Sequence, residues 1–182
     1  MFVQIQDTPN PNTLKFITGS EVTTGDSIYI KKNENKGVSG LADKILQIEG
    51  ISSVFLSSDF ISATKDKEED WDNLKTFVIS TIVDYLVSGL PIITKPLNKD
   101  EKENGTENEI VLQIKELIDT KVRPAVMEDG GDIVYNNFKD GIVYLELHGA
   151  CSGCPSSTIT LKNGIENMLK HYIPEVTSVE AI

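Results

Sequence analysis

Residues 98–108, NKDEKENGTEN, contain no hydrophobic side chain and divide a chain of 182 residues into two parts. The charged residues, the asparagines and Gly105 of this stretch have nothing to bury, so ordering them would cost conformational entropy without compensation. On both sides of the stretch the sequence returns to regular hydrophobic periodicity. We therefore predict a flexible acidic linker over 98–108, between a first domain of residues 1–97 and a second of residues 109–182.

The first part combines strand and helix patterns. Residues 2–6 and 13–18 alternate apolar and polar side chains, and the prolines of the DTPNPN segment between them predict a hairpin with a rigid loop. DSIYIKK is a third strand candidate, and SVFLSS with FISATK forms a second hairpin. SGLADKILQIEGI has helical spacing, with Gly50 as a stop. A longer helix, whose start Trp71 anchors, is predicted with a buried stripe of Leu74, Phe77, Val78, Ile82, Tyr85 and Leu86.

The second part has the order helix, strand, strand, helix, strand. We interpret EDGGD as a helix stop and turn, in preference to a cation site of Glu128, Asp129 and Asp132. Asp140-Gly141 predicts a tight hairpin, and Pro174 ends the last helix. The predicted buried faces are Val111, Ile114, Leu117, Ile118 and Val122 in the first helix, and Ile159, Leu161, Ile165, Met168, Leu169 and Tyr172 in the second. Both parts therefore read as small α+β domains.

The overall charge limits the range of partners. The net charge is -11 and Arg123 is the only arginine, whereas binding to nucleic acid requires clustered cations. No apolar run approaches the roughly 20 residues that cross a bilayer, so we expect no membrane association. The first residues, MFVQIQDTPNPN, resemble neither a signal peptide nor a presequence. We expect a bacterial cytoplasmic protein, with the mature form of a mitochondrial matrix protein as the alternative.

Both cysteines of the chain, Cys151 and Cys154, lie in the stretch HGACSGCPSST, between a predicted strand and a predicted helix. Pro155 suits the first helical position, where a missing N–H has no consequence. The free N–H groups and the dipole of a helix start favour thiolates, the form that binds iron or zinc. The neighbours are small and leave room for a bulky inorganic group: Gly149, Ala150, Ser152, Gly153, Ser156 and Ser157.

Four interpretations of this CxxC motif remain open. The cysteines could be small buried hydrophobic residues, although Gly and Ser make a poor core. They could form a thioredoxin-like dithiol with Cys151 as nucleophile. A zinc site within one chain lacks ligands, because only His148 is near and His171 lies about 25 Å away along the helix. Two chains related by a two-fold axis would instead supply four thiolates, enough for an iron-sulfur cluster near solvent on a surface loop, or for a zinc-bridged structural dimer.

Several longer motifs resemble one known family. GACSGCPSSTITLKNGIENML, preceded by RPAVMEDGGDI and followed by YIPEV, is similar to the C-terminal domain of the NifU-like (Nfu) iron-sulfur proteins. MFVQIQDTPNPNTLKFI and IEGISSVFLSSDFISATK resemble the N-terminal domain of the mitochondrial and alphaproteobacterial members. The resemblance covers nearly the whole chain except the linker.

The resemblance implies a scaffold or carrier with no catalytic site. Such a protein would hold a labile [4Fe-4S] cluster through Cys151 and Cys154 of a cluster-linked homodimer. It would receive the cluster from cluster-assembly donors and deliver it to apo-proteins such as lipoyl synthase and aconitase-like enzymes. The first domain contains neither cysteine nor histidine, so client recognition is the role we expect for it.

Overall fold

A computed structural model describes residues 2–34, 36–95, 108–153 and 155–182, with the side chains of 155–157 left aside. Within the described residues the chain divides into two compact units, Met1–Asn98 and Lys99–Ile182. Each unit contains helices packed on a β-sheet, which confirms the predicted α+β class. The predicted flexible linker falls almost entirely on residues 96–107, outside the described part of the chain, and it stays a prediction together with the exact domain boundaries.

The first unit is built on a five-stranded antiparallel sheet with the strand order β1-β2-β5-β4-β3. Both predicted hairpins are present, β1 with β2 and β4 with β5. In the central pair, Phe16 lies opposite Ile61, and both side chains are fully buried. The strands are β1 Gln4–Asp7, β2 Thr13–Ile17, β3 Ile28–Lys31, β4 Ile51–Leu56 and β5 Phe60–Lys65.

Two helices complete the first unit. Helix α1, Gly40–Leu46, begins after Ser39, whose hydroxyl accepts a hydrogen bond from the Ala42 N–H at 3.2 Å. Helix α2, Trp71–Val87, begins after Asp70, which caps it in the same way. Trp71 packs edge-on against Phe16 with ring centroids 6.3 Å apart, so it does anchor the helix start. Gly50 has a φ of 87° but lies in the turn before β4, three residues beyond the helix cap.

The predicted buried stripe of α2 is buried at three positions, partly buried at Tyr85 and Leu86, and wrong at Phe77. Leu74, Val78 and Ile82 are buried, whereas 63% of Phe77 is exposed. Phe77 is separated from the centre of the buried stripe by about a quarter turn, and the sheet covers only one side of the helix. The hydrophobic pattern of α2 is therefore wider than the surface that the first unit buries.

The second unit has the predicted element order. Its sheet has the strand order β6-β7-β8, and β8 runs parallel to β7. The hairpin turns at Asp140 and Gly141, whose φ angles of 53° and 79° are those of the predicted tight turn. The elements are α3 Glu109–Leu117, a π-helical turn Ile118–Val122, α4 Arg123–Glu128, β6 Gly131–Lys139, β7 Ile142–Gly149, α5 Pro155–Tyr172 and β8 Ser178–Ala181.

The first helix of this unit is interrupted, which the sequence pattern did not reveal. The Arg123 N–H donates to the Ile118 carbonyl, a reach of five residues instead of four. The wide turn comes directly before Pro124, which has no N–H to continue the helical ladder. Ile114, Ile118 and Val122 remain buried, while Val111 and Leu117 are only partly so.

The predicted burial of two residues on the apolar face of α5 is wrong. Ile159 is 64% exposed and Tyr172 is 53% exposed, whereas Ile165 and Leu169 are buried in the core of this unit. An 18-residue helix needs only a narrow stripe to cover a three-stranded sheet, and side chains at the margins of the apolar pattern stay in solvent.

Candidate functional site

The candidate site lies where β7 ends and α5 begins. After Gly149 the chain makes a tight turn in which the Cys151 N–H donates to the His148 carbonyl at 3.2 Å, and the Ser152 N–H donates to the Gly149 carbonyl at 3.0 Å. Positive φ angles of 59° at Gly149 and 73° at Gly153 allow the chain to turn this sharply. Because α5 begins at Pro155, the predicted placement of the motif between strand and helix is confirmed.

Cys151 is buried. Only 6% of it is exposed, and it belongs to the apolar core of the second unit with residues such as Ile133 and Leu169. The sequence pattern placed it on a surface loop, and that expectation is wrong for this cysteine. Cys154 lies outside the described residues, so its position as a partner of Cys151 stays a prediction.

Gly131 determines how closely the chain can approach Cys151. A Cβ atom on Gly131 would lie 2.5 Å from the Cys151 sulfur and 2.8 Å from its backbone nitrogen, closer than real Cβ contacts allow. Gly131 also pairs directly with Gly149 across the β6–β7 ladder. The Ala150 N–H donates to the Gly130 carbonyl at 3.1 Å, which ties the cysteine turn to the start of β6.

The EDGGD segment contains a buried ion pair. The Arg123 Nε and Nη2 groups donate to the two carboxylate oxygens of Asp132 at 2.8 and 2.7 Å, and Asp132 is fully buried. These hydrogen bonds raise the pKa of Arg123 above its ordinary value. Arg123 also pairs with Asp119 at 3.1 Å. Since the Asp132 carboxylate is used internally and Gly130, with a φ of 82°, ends the helix, the structure supports the helix-stop interpretation over a cation site.

Sequence reasoning did not identify this ion pair. Arg123 is the only arginine of the chain, and Asp132 lies between a glycine and a run of apolar residues. The sequence did contain a signal for the pair: an aspartate in an apolar context, preceded by the only arginine of the chain. A carboxylate that is buried in such a context requires a charged partner.

The two histidines lie on different elements, His148 on β7 and His171 on α5. His148 Nε2 lies 3.4 Å from a carboxylate oxygen of Glu146. His171 packs edge-on against Tyr172 near the far end of α5, with ring centroids 5.0 Å apart. Within the described ranges, no group of three or more His, Cys, Asp or Glu side chains could hold a metal ion. None of the helices in those ranges is both long and apolar enough to cross a bilayer.

A thiol is nevertheless a suitable ligand type here. Thiolate sulfur binds iron and zinc, and Cys151 lies four residues before the N-terminal end of an 18-residue helix, the end at which a helix dipole favours negative charge. The described residues thus fit a thiolate ligand.

Comparison with known proteins gives matches in both units. Residues 3–89 match the family described as scaffold protein Nfu/NifU N terminal, and residues 114–180 match the NifU-like domain. The human protein named NFU1 iron-sulfur cluster scaffold homolog, mitochondrial, is 50% identical over 183 residues, which span 100% of this chain and 72% of the human protein. The relative of the same name from Drosophila persimilis is 46% identical, with 100% of this chain and 65% of that protein covered.

A solution NMR structure of a NifU-like protein from Saccharomyces cerevisiae is 29% identical; the match covers 53% of this chain and 87% of the yeast chain, with a TM-score of 0.48. The two domain matches and the full-length similarity to the human protein confirm the resemblance found in the sequence motifs. The chain therefore belongs to the Nfu family of NifU-like iron-sulfur cluster scaffold proteins.

Proposed function

We propose that this protein is an iron-sulfur cluster carrier without a catalytic site, which holds a labile [4Fe-4S] cluster between two copies of the chain. Cys151 and Cys154 of each copy would supply the four thiolates. The observation that carries the proposal is the ligand count. The whole chain has two cysteines, separated by two residues just before a helix, whereas such a cluster takes four thiolates, the number that two chains supply. The names of the mammalian and fly relatives support the same role.

Delivery would proceed by ligand exchange. Each iron–sulfur bond to a carrier cysteine breaks as a bond to a client thiolate forms, so the cluster keeps its charge and no electron is transferred. The released carrier thiolates take up protons from water.

We assign different roles to the two units. The second unit, with the predicted domain boundaries 109–182, binds the cluster. The first unit, 1–97, recognises client apo-proteins, for which the family resemblance suggests lipoyl synthase and aconitase-like enzymes. Its sequence supports a role other than metal binding, because it contains neither cysteine nor histidine. Upstream cluster-assembly proteins would donate the cluster.

The mitochondrial matrix is the cellular location that we propose. The human and Drosophila relatives are named as mitochondrial proteins. The bacterial cytoplasm, which was the first expectation from the sequence, gains no support from those relatives. The mature matrix form was the alternative, and we adopt it here.

The test is anaerobic reconstitution of the full chain with iron and sulfide. Wild-type protein should gain an iron-sulfur absorbance spectrum and one cluster per two chains, whereas Cys151→Ser and Cys154→Ser should each lose stoichiometric cluster while keeping the circular dichroism of the folded chain. His148→Gln is the matched control in the same turn, and it should retain the cluster because His148 is not assigned as a ligand.

Three results would contradict the proposal. A serine variant that still binds a full cluster would remove the ligand assignment. A monomeric, iron-free chain that cycles between dithiol and disulfide would favour the oxidoreductase alternative. A dimer that contains zinc and excludes iron would favour the structural zinc bridge.

A further inference from the structure

Helix α2 is more apolar than its own unit requires. Ten of its 17 residues are hydrophobic, and seven of these are buried or packed against the core: Leu74, Val78 and Ile82 are buried, and Trp71, Ile79, Tyr85 and Leu86 are partly buried. Phe77 is 63% exposed and Val87 is 70% exposed. Surface helices normally present a polar face to water, and several large exposed apolar side chains on one helix commonly mark an interaction site.

The exposed residues share one side of the helix. Phe77, Ser80, Asp84 and Val87 follow one another at intervals of three or four residues, the spacing that keeps side chains on a common face. Phe77 and Val87 are therefore about 15 Å apart along the axis, with a carboxylate and a hydroxyl between them. Leu90, 57% exposed, follows just beyond the helix end.

The net charge of the first unit is concentrated around this helix. Residues 66–90 contain six carboxylates and two lysines, whereas the rest of residues 1–95 contains seven carboxylates and seven lysines. These carboxylates lie in residues 66–72, which lead into α2, and at Asp84 in the middle of the exposed face. All of them are exposed. The exposed face thus has one carboxylate, Asp84, between its large apolar groups, and the segment before the helix adds further negative charge.

This combination selects the kind of partner. A surface of anionic lipids or nucleic acid would be repelled by the carboxylates. A second copy of the same face would bring like charges together, which is unfavourable. A basic amphipathic segment satisfies both features, because its apolar side chains would cover Phe77 and Val87 while its cations would meet Asp84 and the acidic lead-in.

We propose that the outer face of α2, formed by Phe77, Asp84 and Val87, is a docking surface for a basic amphipathic helix of a partner protein, with the acidic residues 66–72 at the start of the helix adding to its negative charge. The site involves no metal and no cysteine. Its test is therefore independent of the carrier proposal, and either proposal can fail while the other stands.

The experiment uses the full-length apo-chain labelled with ¹⁵N. The probe is a synthetic 18-residue peptide of leucine and lysine in amphipathic helical order, and its twin has glutamate at every lysine position. The lysine peptide should shift the backbone amide signals of α2 and residues 66–72, with weaker binding at high salt. The glutamate twin should not bind.

Two variants of the chain test the surface directly. Phe77→Ser with Val87→Ser should weaken binding of the lysine peptide at least about tenfold, because apolar anchors dominate such contacts. Leu112→Ser, which makes the same change at a residue that is 50% exposed on α3, should leave binding unchanged. If the double variant misfolds, Asp84→Lys tests the same face by charge and should also weaken binding.

The proposal is overturned if the lysine peptide shifts signals outside α2 and residues 66–72, or if the double variant binds as tightly as the wild type. Equal binding of the glutamate twin would show that charge plays no part. A wild-type chain that self-associates in sedimentation, and that the double variant makes monomeric, would assign the face to a second copy and would equally overturn the proposal.

Discussion

The two units place their reactive and charged groups differently. The first unit buries one lysine, Lys65, whose amine donates to the Asn12 side-chain oxygen at 3.0 Å, and the excess charge of the unit is exposed around α2. The second unit buries a thiol, Cys151, in its core. It also buries a carboxylate, Asp132, which directly follows Gly131, the glycine that lies close to the Cys151 sulfur. In the second unit, therefore, groups that hold the fold together also lie next to the cysteine turn.

The largest expected effect is in the packed core of the first unit. Ile82→Ala removes a fully buried side chain and should lower the free energy of unfolding of this unit by about 3–4 kcal/mol. Denaturant unfolding followed by Trp71 fluorescence measures it. Phe77→Ala on the same helix is the control and should change it by less than about 1 kcal/mol, because that side chain is mostly in solvent. Equal losses would contradict the assigned packing of α2.

The next effect tests the buried ion pair of the second unit. Asp132→Ala leaves the Arg123 guanidinium without its bidentate partner and should destabilise this unit by about 2–4 kcal/mol. Hydrogen exchange of β6 and β7 amides is the measurement, because it separates this unit from the first. Asp119→Ala removes the exposed partner of the same arginine, 58% exposed, and should cost less than about 1 kcal/mol. A small effect at Asp132 would mean that the pair adds little.

A smaller effect, of opposite sign, is expected at Gly164. This glycine lies inside α5, and a Cβ atom there would meet nothing within 4 Å. Gly164→Ala should therefore stabilise the second unit by about 0.5–1 kcal/mol, since alanine is the better helix former. The thermal midpoint of the apo-chain reports the change. Destabilisation would indicate a contact at this position that the described residues do not account for.

The smallest effect concerns the link between α5 and the edge strand β8. Hydrogen bonds to Glu166 from Lys170, at 2.6 Å, and from the Val179 N–H, at 3.0 Å, lower the pKa of this carboxyl group. A lowered carboxyl pKa stabilises the fold at pH values above the ordinary pKa of the group. This stabilisation is lost as the pH falls through the lowered pKa. Glu166→Gln should thus reduce the urea midpoint slightly at pH near 7, and the difference should vanish in acid.

Glu180→Gln is the comparison for that experiment. Glu180 pairs with Lys162 at 3.0 Å across the same two elements, but 49% of its side chain is exposed and it accepts no backbone hydrogen bond among those described. Its variant should change the midpoint less than Glu166→Gln does. A pH-independent difference at Glu166 would contradict the electrostatic explanation.

Hydrophobic periodicity was sufficient to predict most of the fold. The hairpins, the order of elements in the second unit and the strand–turn–helix setting of the cysteines follow from local pattern and turn chemistry alone. The errors occur where one element meets another. Phe77, Ile159 and Tyr172 fit their helical stripes, but how far a sheet extends around a helix depends on tertiary packing.

The candidate site was predictable in position and not in environment. Small neighbours around Cys151 indicated an open loop, whereas contact with Gly131 from a different strand places the sulfur in the core. Similarly, the interrupted helix before Pro124 and the Arg123–Asp132 pair depend on residues that are close only after folding. Local sequence carries the identity of the reactive group, and long-range contacts decide its exposure.

The central claim is that one cluster joins two chains through their cysteines. Native mass spectrometry of the anaerobically reconstituted protein measures this directly, because it counts chains and iron in a single species. We predict two chains with one [4Fe-4S] cluster, which separate into single chains when iron is chelated and do not form with Cys151→Ser. A single chain that carries the complete cluster, or a two-chain species that contains no iron, would contradict the account.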